Sequence, residues 1–339
     1  MREAETQFFA NASALHTPGH LAMNQIEEAR EILAKLINAE PGEIIFTSGS
    51  SESNNTVIRT FEGHEIETSP YEHHSIIEPA KIYQGTAQPK LYSYMLANNE
   101  IGEYLDLVKI AQKAHQEGAY VHSDLTQVLG KIPVDVKNLG LDYATFSAHK
   151  IGGPIGVGAL YVKKGAPFKP LIIGGNQEKK RRGGTYNTVG IIGFGAALKK
   201  ITEERTWKKY DTEIRKLRDT LAERILAEIP GSSLNTPLDN SLPNILNASF
   251  QAAEGESIQL YLDAEGVVVS TGSACAAGDG KPSHVLMAKS GGDAEVAHSS
   301  IRFSFGPDNT MADVEKVMEV LPGIIDRLQK ISTIKMEAK

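Results

Sequence analysis

The chain has 339 residues, 41% of them hydrophobic and 23% charged, with a formal net charge of −7. That length and balance allow a large core and two unequal domains, and they exclude wholesale disorder. The acidic surplus gives no overall field for nucleic acid, and a single cysteine, Cys275, excludes an intrachain disulfide and suits a reducing compartment.

The first ten residues carry Glu3 and Glu5 and no basic-then-apolar signal pattern, and no apolar run nears bilayer length. A cytoplasmic protein is expected. Residues 21–39 predict an amphipathic helix, with Ile26, Ala29, Ile32, Leu33 and Leu36 on one face and Pro41-Gly42 as its stop. Glu43–Thr47 reads as a strand running into Ser48-Gly49-Ser50-Ser51 and a following helix. Such a turn at a helix N-terminus can cradle an anion, because backbone N–H groups and the helix dipole point at it, or it can be a plain serine-capped turn. Tyr71-Glu72-His73-His74-Ser75-Ile76, before a short helical stretch, forms a loop whose histidine could stack on a flat ring or be an ordinary polar side chain. Met95–Ala97 predicts an apolar strand ending in Asn98-Asn99, amides able to bond a phenolic oxygen. After a helix over 107–117, Val121 closes a buried strand and Asp124 lies just past its end.

Asp142–Gly158 opens as a strand (Tyr143, Ala144, Phe146), turns polar at Ser147, presents His149 and Lys150 and breaks into glycines. Lys150 is either a charge snorkelling from a sheet edge or an amine placed to form a Schiff base with a carbonyl cofactor. The alternation of strand and helix through residue 162 predicts a mainly parallel sheet, whose ligand sites gather at the carboxyl ends of strands. Ser51, Asn99, Asp124 and Lys150 all fall at such ends. The loop 174–185 is glycine-rich and carries the basic cluster 179–182, which suits a phosphate-side or subunit contact; it has no Walker A ending.

A domain boundary is expected near 203–207. The helix predicted over 207–229 puts Trp207, Tyr210, Ile214, Leu217, Leu221 and Ile225 on one face, and Pro230-Gly231 stops it. Beyond it come a strand near 245–250, a helix near 256–265, strands over 267–270 and 300–305, and a last helix from Ala312 with a bend expected at Pro322. Ser270–Gly280 is small and polar, which favours a reactive thiol over a buried hydrophobe for Cys275. Arg302 alternates with apolar neighbours on its strand, so it pairs internally or holds a carboxylate by two parallel bonds.

Eight segments then read together: Thr-Ser-Gly-Ser-Ser-Glu-Ser-Asn-Asn (47–55), Glu-His-His (72–74), Asn-Asn-Glu-Ile-Gly (98–102), His-Ser-Asp-Leu-Thr-Gln (122–127), Ser-Ala-His-Lys (147–150), Arg-Gly-Gly-Thr (182–185), Gly-Ser-Ala-Cys (272–275) and Ser-Ile-Arg-Phe-Ser (300–304). In this order the series resembles the cysteine desulfurases of the NifS/IscS type, class V aminotransferases of the fold-type I pyridoxal phosphate enzymes, over about residues 11–328. The resemblance implies an α/β fold: a large cofactor-binding domain with a mainly parallel sheet (11–205) and a smaller α+β C-terminal domain (206–331). It implies pyridoxal 5'-phosphate held covalently by Lys150, which would also move the substrate's α proton, its ring nitrogen paired with Asp124, its ring stacked by His73, which would also shuttle protons, and its phenolic oxygen bonded by Asn99 and Gln127. Ser50, Ser51, Ser147 and His149 would hold the phosphate, and Thr185 would reach the phosphate of a second subunit, making a homodimer. Arg302, with Asn99, would bind the substrate carboxylate. Cys275 would take sulfur from L-cysteine as a persulfide, release L-alanine, and pass the sulfur to an acceptor or iron-sulfur scaffold protein; no metal is implied. Two other readings keep these residues: a selenocysteine lyase or other class V enzyme with Cys275 a bystander, and a scaffold without catalysis. Two stretches depart from the family pattern. Its Asp-Asn-Ala-Ala-Thr-Thr-like opening has no counterpart before Asn11, and between Ile77 and Tyr94 only Lys81–Gln88 stands where relatives carry a further strand and helix.

Overall fold

The computed structural model describes residues 1–272 and 282–332. The chain divides into two compact units, Met1–Leu96 with Leu105–Trp207, and Ala97–Tyr104 with Lys208–Lys339.

In the first unit six strands, β1 (Ile44–Thr47), β2 (His64–Thr68), β3 (Ala87–Ser93), β4 (Tyr120–Asp124), β5 (Tyr143–Ser147) and β6 (Gly158–Val162), form one sheet in the order β1-β6-β5-β4-β3-β2. β2, β3, β4 and β5 pair in parallel, whereas β6 runs antiparallel to both β5 and β1. Strands β1 to β5 therefore share one direction, and Thr47, Thr68, Ser93, Asp124 and Ser147 end at one edge. β5 and β6 are buried at every position, as expected for a sheet covered on both faces. Ile45, Val57, Ile58, Phe61, Ile66, Ile76, Leu91, Tyr143, Leu160 and Val162 form a core against this sheet. Each such aliphatic side chain contributes about 1.5–3 kcal/mol when fully buried.

The helix expected over 21–39 spans Thr17–Leu36. It starts earlier because the His16 ring accepts the Gly19 N–H and a proline occupies its first turn; it stops before Pro41 because Asn38 turns left-handed at φ 60. The strand read at Met95–Ala97 lies upstream, over Ala87–Ser93, and Ala97 instead makes an isolated bridge to Tyr104. The first half of β3 is exposed and polar, so its sequence does not alternate like a half-buried strand. The helix His74–Tyr83 and β3 fill the region where only a bridge was expected, leaving Gln84–Thr86 as the link.

The second unit holds an antiparallel sheet of β7 (Ser232–Leu234), β8 (Ile245–Phe250), β9 (Ser270–Thr271) and β10 (Ser300–Ser304), in the order β7-β8-β10-β9. Its core gathers Ile214, Leu217, Leu221, Ile225, Leu246, Phe250, Ile258, Ile301, Val314, Leu321 and Ile325. The long helix before β7 is continuous in three segments, Thr206–Lys209, a π turn at Tyr210–Ile214, and Arg215–Glu228. The strand expected over 267–270 shrinks to Ser270–Thr271, since the Val267 N–H bonds back to Leu262 O at the preceding helix end and Val268 is exposed. The last helix, Met311–Ile331, runs through Pro322. Among the described residues no helix is long and apolar enough to cross a membrane.

Candidate active site

In the first unit the expected residues collect at the shared strand edge. Asp124 ends β4; its Oδ1 accepts the Thr126 N–H at 2.9 Å and its Oδ2 accepts Asn54 Nδ2 at 2.8 Å. Ser147 ends β5, and its hydroxyl bonds His149 Nδ1 at 2.8 Å. Lys150 follows in the single 3-10 turn Ala148–Ile151, which closes on left-handed Gly152. The strand-then-glycine pattern thus delivers an exposed lysine just past a fully buried strand.

The turn after β1 comes close to the same place. A Cβ on Gly158 would sit 2.5 Å from Phe146 O and 2.7 Å from the Gly49 Cα, so only glycine lets the β5 end and this turn approach. A Cβ on Gly49 would lie 4.0 Å from the Ser147 hydroxyl. Gly49 is the N-cap of helix Ser50–Thr60 and leaves it without a side-chain cap, so Ser50 and Ser51 stand in its first turn beside Ser147. Ser48 N–H bonds Glu52, which also takes two bonds from Arg182 at 3.0 and 3.2 Å. Burial alone would raise the Glu52 carboxyl, but the bonds from Arg182 and Ser48 outweigh it and hold it below the usual range.

His73 caps the helix His74–Tyr83 with its ring, Nδ1 accepting the Ser75 N–H at 3.1 Å. Desolvation lowers its pKa against the opposing pull of Asp124, with His74 and Lys150 pushing it further down. The field at His73 therefore includes both Asp124 and Lys150; that at His149 also includes Lys150, where burial again lowers the ring. Gln127 Oε1 accepts Lys131 Nζ at 3.0 Å, which commits its carbonyl within the same loop. Thr185 is exposed on the glycine-rich loop.

That loop is anchored by a buried pair: Arg30 meets both carboxylate oxygens of Glu178 at 2.8 Å. Glu178, Lys179 and Lys180 all adopt positive φ, at 47, 58 and 66. A run of three non-glycine residues there is costly, and the Glu178 bonds hold it in place. Neither member of this pair carried a signal in the sequence, because 148 positions separate them.

The second unit carries the others. Asn99 lies in the Ala97–Tyr104 segment, and its carbonyl accepts Arg302 Nη1 at 3.0 Å. Arg302 sits in β10 opposite Asn247 on one side and Ser270 on the other. Glu100, next to Asn99, accepts the Ser283 hydroxyl, and its backbone carbonyl accepts Asn247 Nδ2 at 3.3 Å. Cys275 lies outside the described residues.

The class V aminotransferase family model matches residues 1–87 and 82–317. The chain is 42% identical to the cysteine desulfurase IscS of Dictyoglomus turgidum, over 98% of this chain and 91% of that one. The identity is 39% to IscS 1 of Archaeoglobus fulgidus, over 97% and 93%. The chain belongs to the cysteine desulfurase family of class V aminotransferases. A solved NifS-like protein superposes on it with a TM-score of 0.83 at 33% identity, covering 97% of this chain and 93% of that chain. Another solved relative, SspA in complex with cysteine, gives a TM-score of 0.75 at 29% identity over 91% and 94%. The desulfurase family uses pyridoxal phosphate, and the first unit's residues suit that group. An uncapped helix start with serines, a carboxylate at a neighbouring strand end, and a histidine and lysine in its field make a donor set for a phosphate, a ring nitrogen and an aldehyde. Ser123 Oγ and Thr126 Oγ1, on either side of Asp124, are buried with no bond among the described residues, which leaves polar capacity next to that carboxylate.

Asn54, Glu72 and Ser75 are the site neighbours that sequence reasoning left aside. All three stood inside segments singled out in the sequence, Thr47–Asn55 and Tyr71–Ile76, and could have been taken from them.

Proposed function

We propose that this chain is a pyridoxal phosphate-dependent cysteine desulfurase that converts L-cysteine to L-alanine and leaves the sulfur as a persulfide on Cys275. The observation that carries it is the gathering of Lys150, Asp124 and His73 in one field at the carboxyl edge of the sheet, in a chain of this family. When bound, the cofactor supplies a carbonyl that takes up amines and a ring that accepts electrons from the substrate's carbons.

Lys150 would hold that group, and its Nζ would move the substrate's α proton. Asp124, held in place by the Thr126 N–H and the Asn54 amide, would pair with the ring nitrogen. His73 would stack on the ring. Asn99 and Gln127 would bond the phenolic oxygen, Ser50, Ser51, Ser147 and His149 would bind the phosphate, and Thr185 would serve a second copy of the chain in a homodimer. Arg302 and Asn99 receive the substrate carboxylate. The Cys275 thiolate attacks the substrate sulfur: an S–S bond forms, the C–S bond breaks, its electron pair stays with carbon, and a proton there completes alanine. No external oxidant is needed for that step. The persulfide then goes to a sulfur acceptor, such as an iron-sulfur scaffold protein or a tRNA-thiolation partner, in the cytoplasm.

The test is release of alanine and sulfide from L-cysteine with a reductant present. The loaded protein is expected to absorb at the near-ultraviolet to visible edge, Lys150→Ala to lose roughly 10²–10⁴-fold in turnover, and Cys275→Ser to form no persulfide. A Lys150→Ala protein turning over cysteine at the original rate would end this reading.

A further inference from the structure

Three hydrogen bonds join the residue that would pair with the ring nitrogen, Asp124, to the one that would stack on the ring, His73. Asn54 is fully buried in the helix after β1, and its Nδ2 donates both to Asp124 Oδ2 at 2.8 Å and to Ser75 Oγ at 2.9 Å. Ser75 Oγ in turn lies 2.8 Å from His73 Nδ1. The direction of every proton follows. Asp124 is a carboxylate that already accepts the Thr126 N–H, so Asn54 must turn its NH₂ and not its carbonyl toward it. The second Asn54 proton then occupies a lone pair of Ser75 Oγ, which frees the hydroxyl proton to point at His73. His73 Nδ1 also receives the Ser75 backbone N–H at 3.1 Å. A ring nitrogen facing two donors carries no proton of its own.

We propose that Asn54 and Ser75 are positioning residues that tie His73 to Asp124 and hold its imidazole as the neutral Nε2–H tautomer, so that Nε2 is the ring nitrogen offered as a proton donor to the cofactor–substrate assembly. The proposal rests on the functional reading above for what His73 faces, but not for the tautomer itself. Protonating Nδ1 would set a third donor against the Ser75 N–H and hydroxyl and undo the cap of helix His74–Tyr83. Among the described residues the charged groups acting on the ring are Asp124, His74 and Lys150, and the hydroxyl at Nδ1 is that of Ser75.

The test is nitrogen NMR on protein labelled at its 10 histidines, with His73 assigned by comparison with His73→Gln, before and after loading with pyridoxal phosphate. The unmodified protein is expected to show His73 protonated at Nε2 alone near neutral pH. Ser75→Ala removes one neutral hydrogen bond to the unprotonated nitrogen and should move the His73 titration midpoint up by roughly half to one pH unit. Ser75→Thr keeps the hydroxyl and should restore the midpoint. The acid limb of cysteine turnover should move with the midpoint in Ser75→Ala and return in Ser75→Thr. A proton on Nδ1 in the unmodified protein, or a Ser75→Ala midpoint and tautomer identical to it, overturns the proposal. Because the NMR signature needs no turnover, absent sulfide release in the unmodified protein would count against the functional reading alone.

Discussion

Glu72 in the first unit and Glu100 in the second are buried glutamates that each accept a serine hydroxyl, yet their surroundings differ in sign. Glu72 bonds Ser69 Oγ and the Met95 N–H at 2.9 Å each. Burial, opposed by those bonds and reinforced by the negative field of Asp124, pushes it up to about 8. Glu100 is raised by burial too, but the Ser283 hydroxyl and the positive field of Arg302 pull it back to about 7. The lesson is that a carboxyl placed behind the candidate cofactor carboxylate is kept protonated, whereas one placed behind the candidate substrate arginine sits near the point of ionising. The first unit thus avoids a second negative charge beside Asp124. The second has a carboxyl in the positive field of Arg302.

The strongest way to break this comparison is to remove its cation. Arg302→Ala should lower kcat/KM for cysteine by about 10–100-fold, mostly through KM, the worth of a charge-assisted hydrogen bond to a carboxylate. It should also raise Glu100 further, since burial would then act without its main opposing charge. Steady-state kinetics decide the first part; a KM left unchanged would remove Arg302 from substrate binding.

Second in size is Glu72→Gln. A carboxyl whose folded pKa is raised contributes least once the unfolded chain ionises, so stability falls as pH rises from the ordinary value of 4.5 and levels off above about 8. His122 acts in the opposite sense. Burial between Ser93 and Thr145 lowers it to about 4, so its stabilisation is lost as pH falls from 6.5 toward 4. Glu100, raised to about 7, adds a slope of the same sign up to that point, so the clean window for Glu72 is pH 7 to 8, where at about 1.4 kcal/mol per unit the protein should lose on the order of 1 kcal/mol. Denaturant titrations across that window should show the slope in the original protein and a flatter line in Glu72→Gln, whose amide can still accept the Ser69 and Met95 bonds.

These carboxyls also mark where reading the sequence stops. Lys150, Asp124 and Ser147 are legible because an apolar strand followed by polar residues and glycines is a local pattern, and it recurs at each strand end. Strand β2, His-Glu-Ile-Glu-Thr, buries only Ile66, and β3 begins exposed, so neither has the alternation that would reveal it. Asn54 and Asp124 are 70 residues apart, and the bond between them belongs to sheet order, not to spacing. The same holds for Ala97–Tyr104, which is read in sequence as part of the first half yet packs as part of the second unit, where Asn99 and Glu100 meet Arg302, Ser283 and Asn247.

The smallest expected effect is that of Glu100→Gln, and it tests the comparison most finely. With its carboxyl raised only to about 7, Glu100 keeps a pH dependence from 4.5 to about 7, of which only the part above 6.5 lies clear of His122. That part amounts to somewhat under about 1 kcal/mol at 1.4 kcal/mol per unit. The amide oxygen can still accept the Ser283 hydroxyl, so the N-cap that Ser283 gives to Leu286 should survive. What the substitution removes is the negative charge that appears near Arg302 above pH 7. The variant should therefore flatten stability between pH 6.5 and 7 and change KM for cysteine by no more than a few-fold, with the change confined to the alkaline side. A stability profile as steep as that removed by Glu72→Gln would mean that Arg302 does not offset burial at Glu100, and the contrast between the two units would fail.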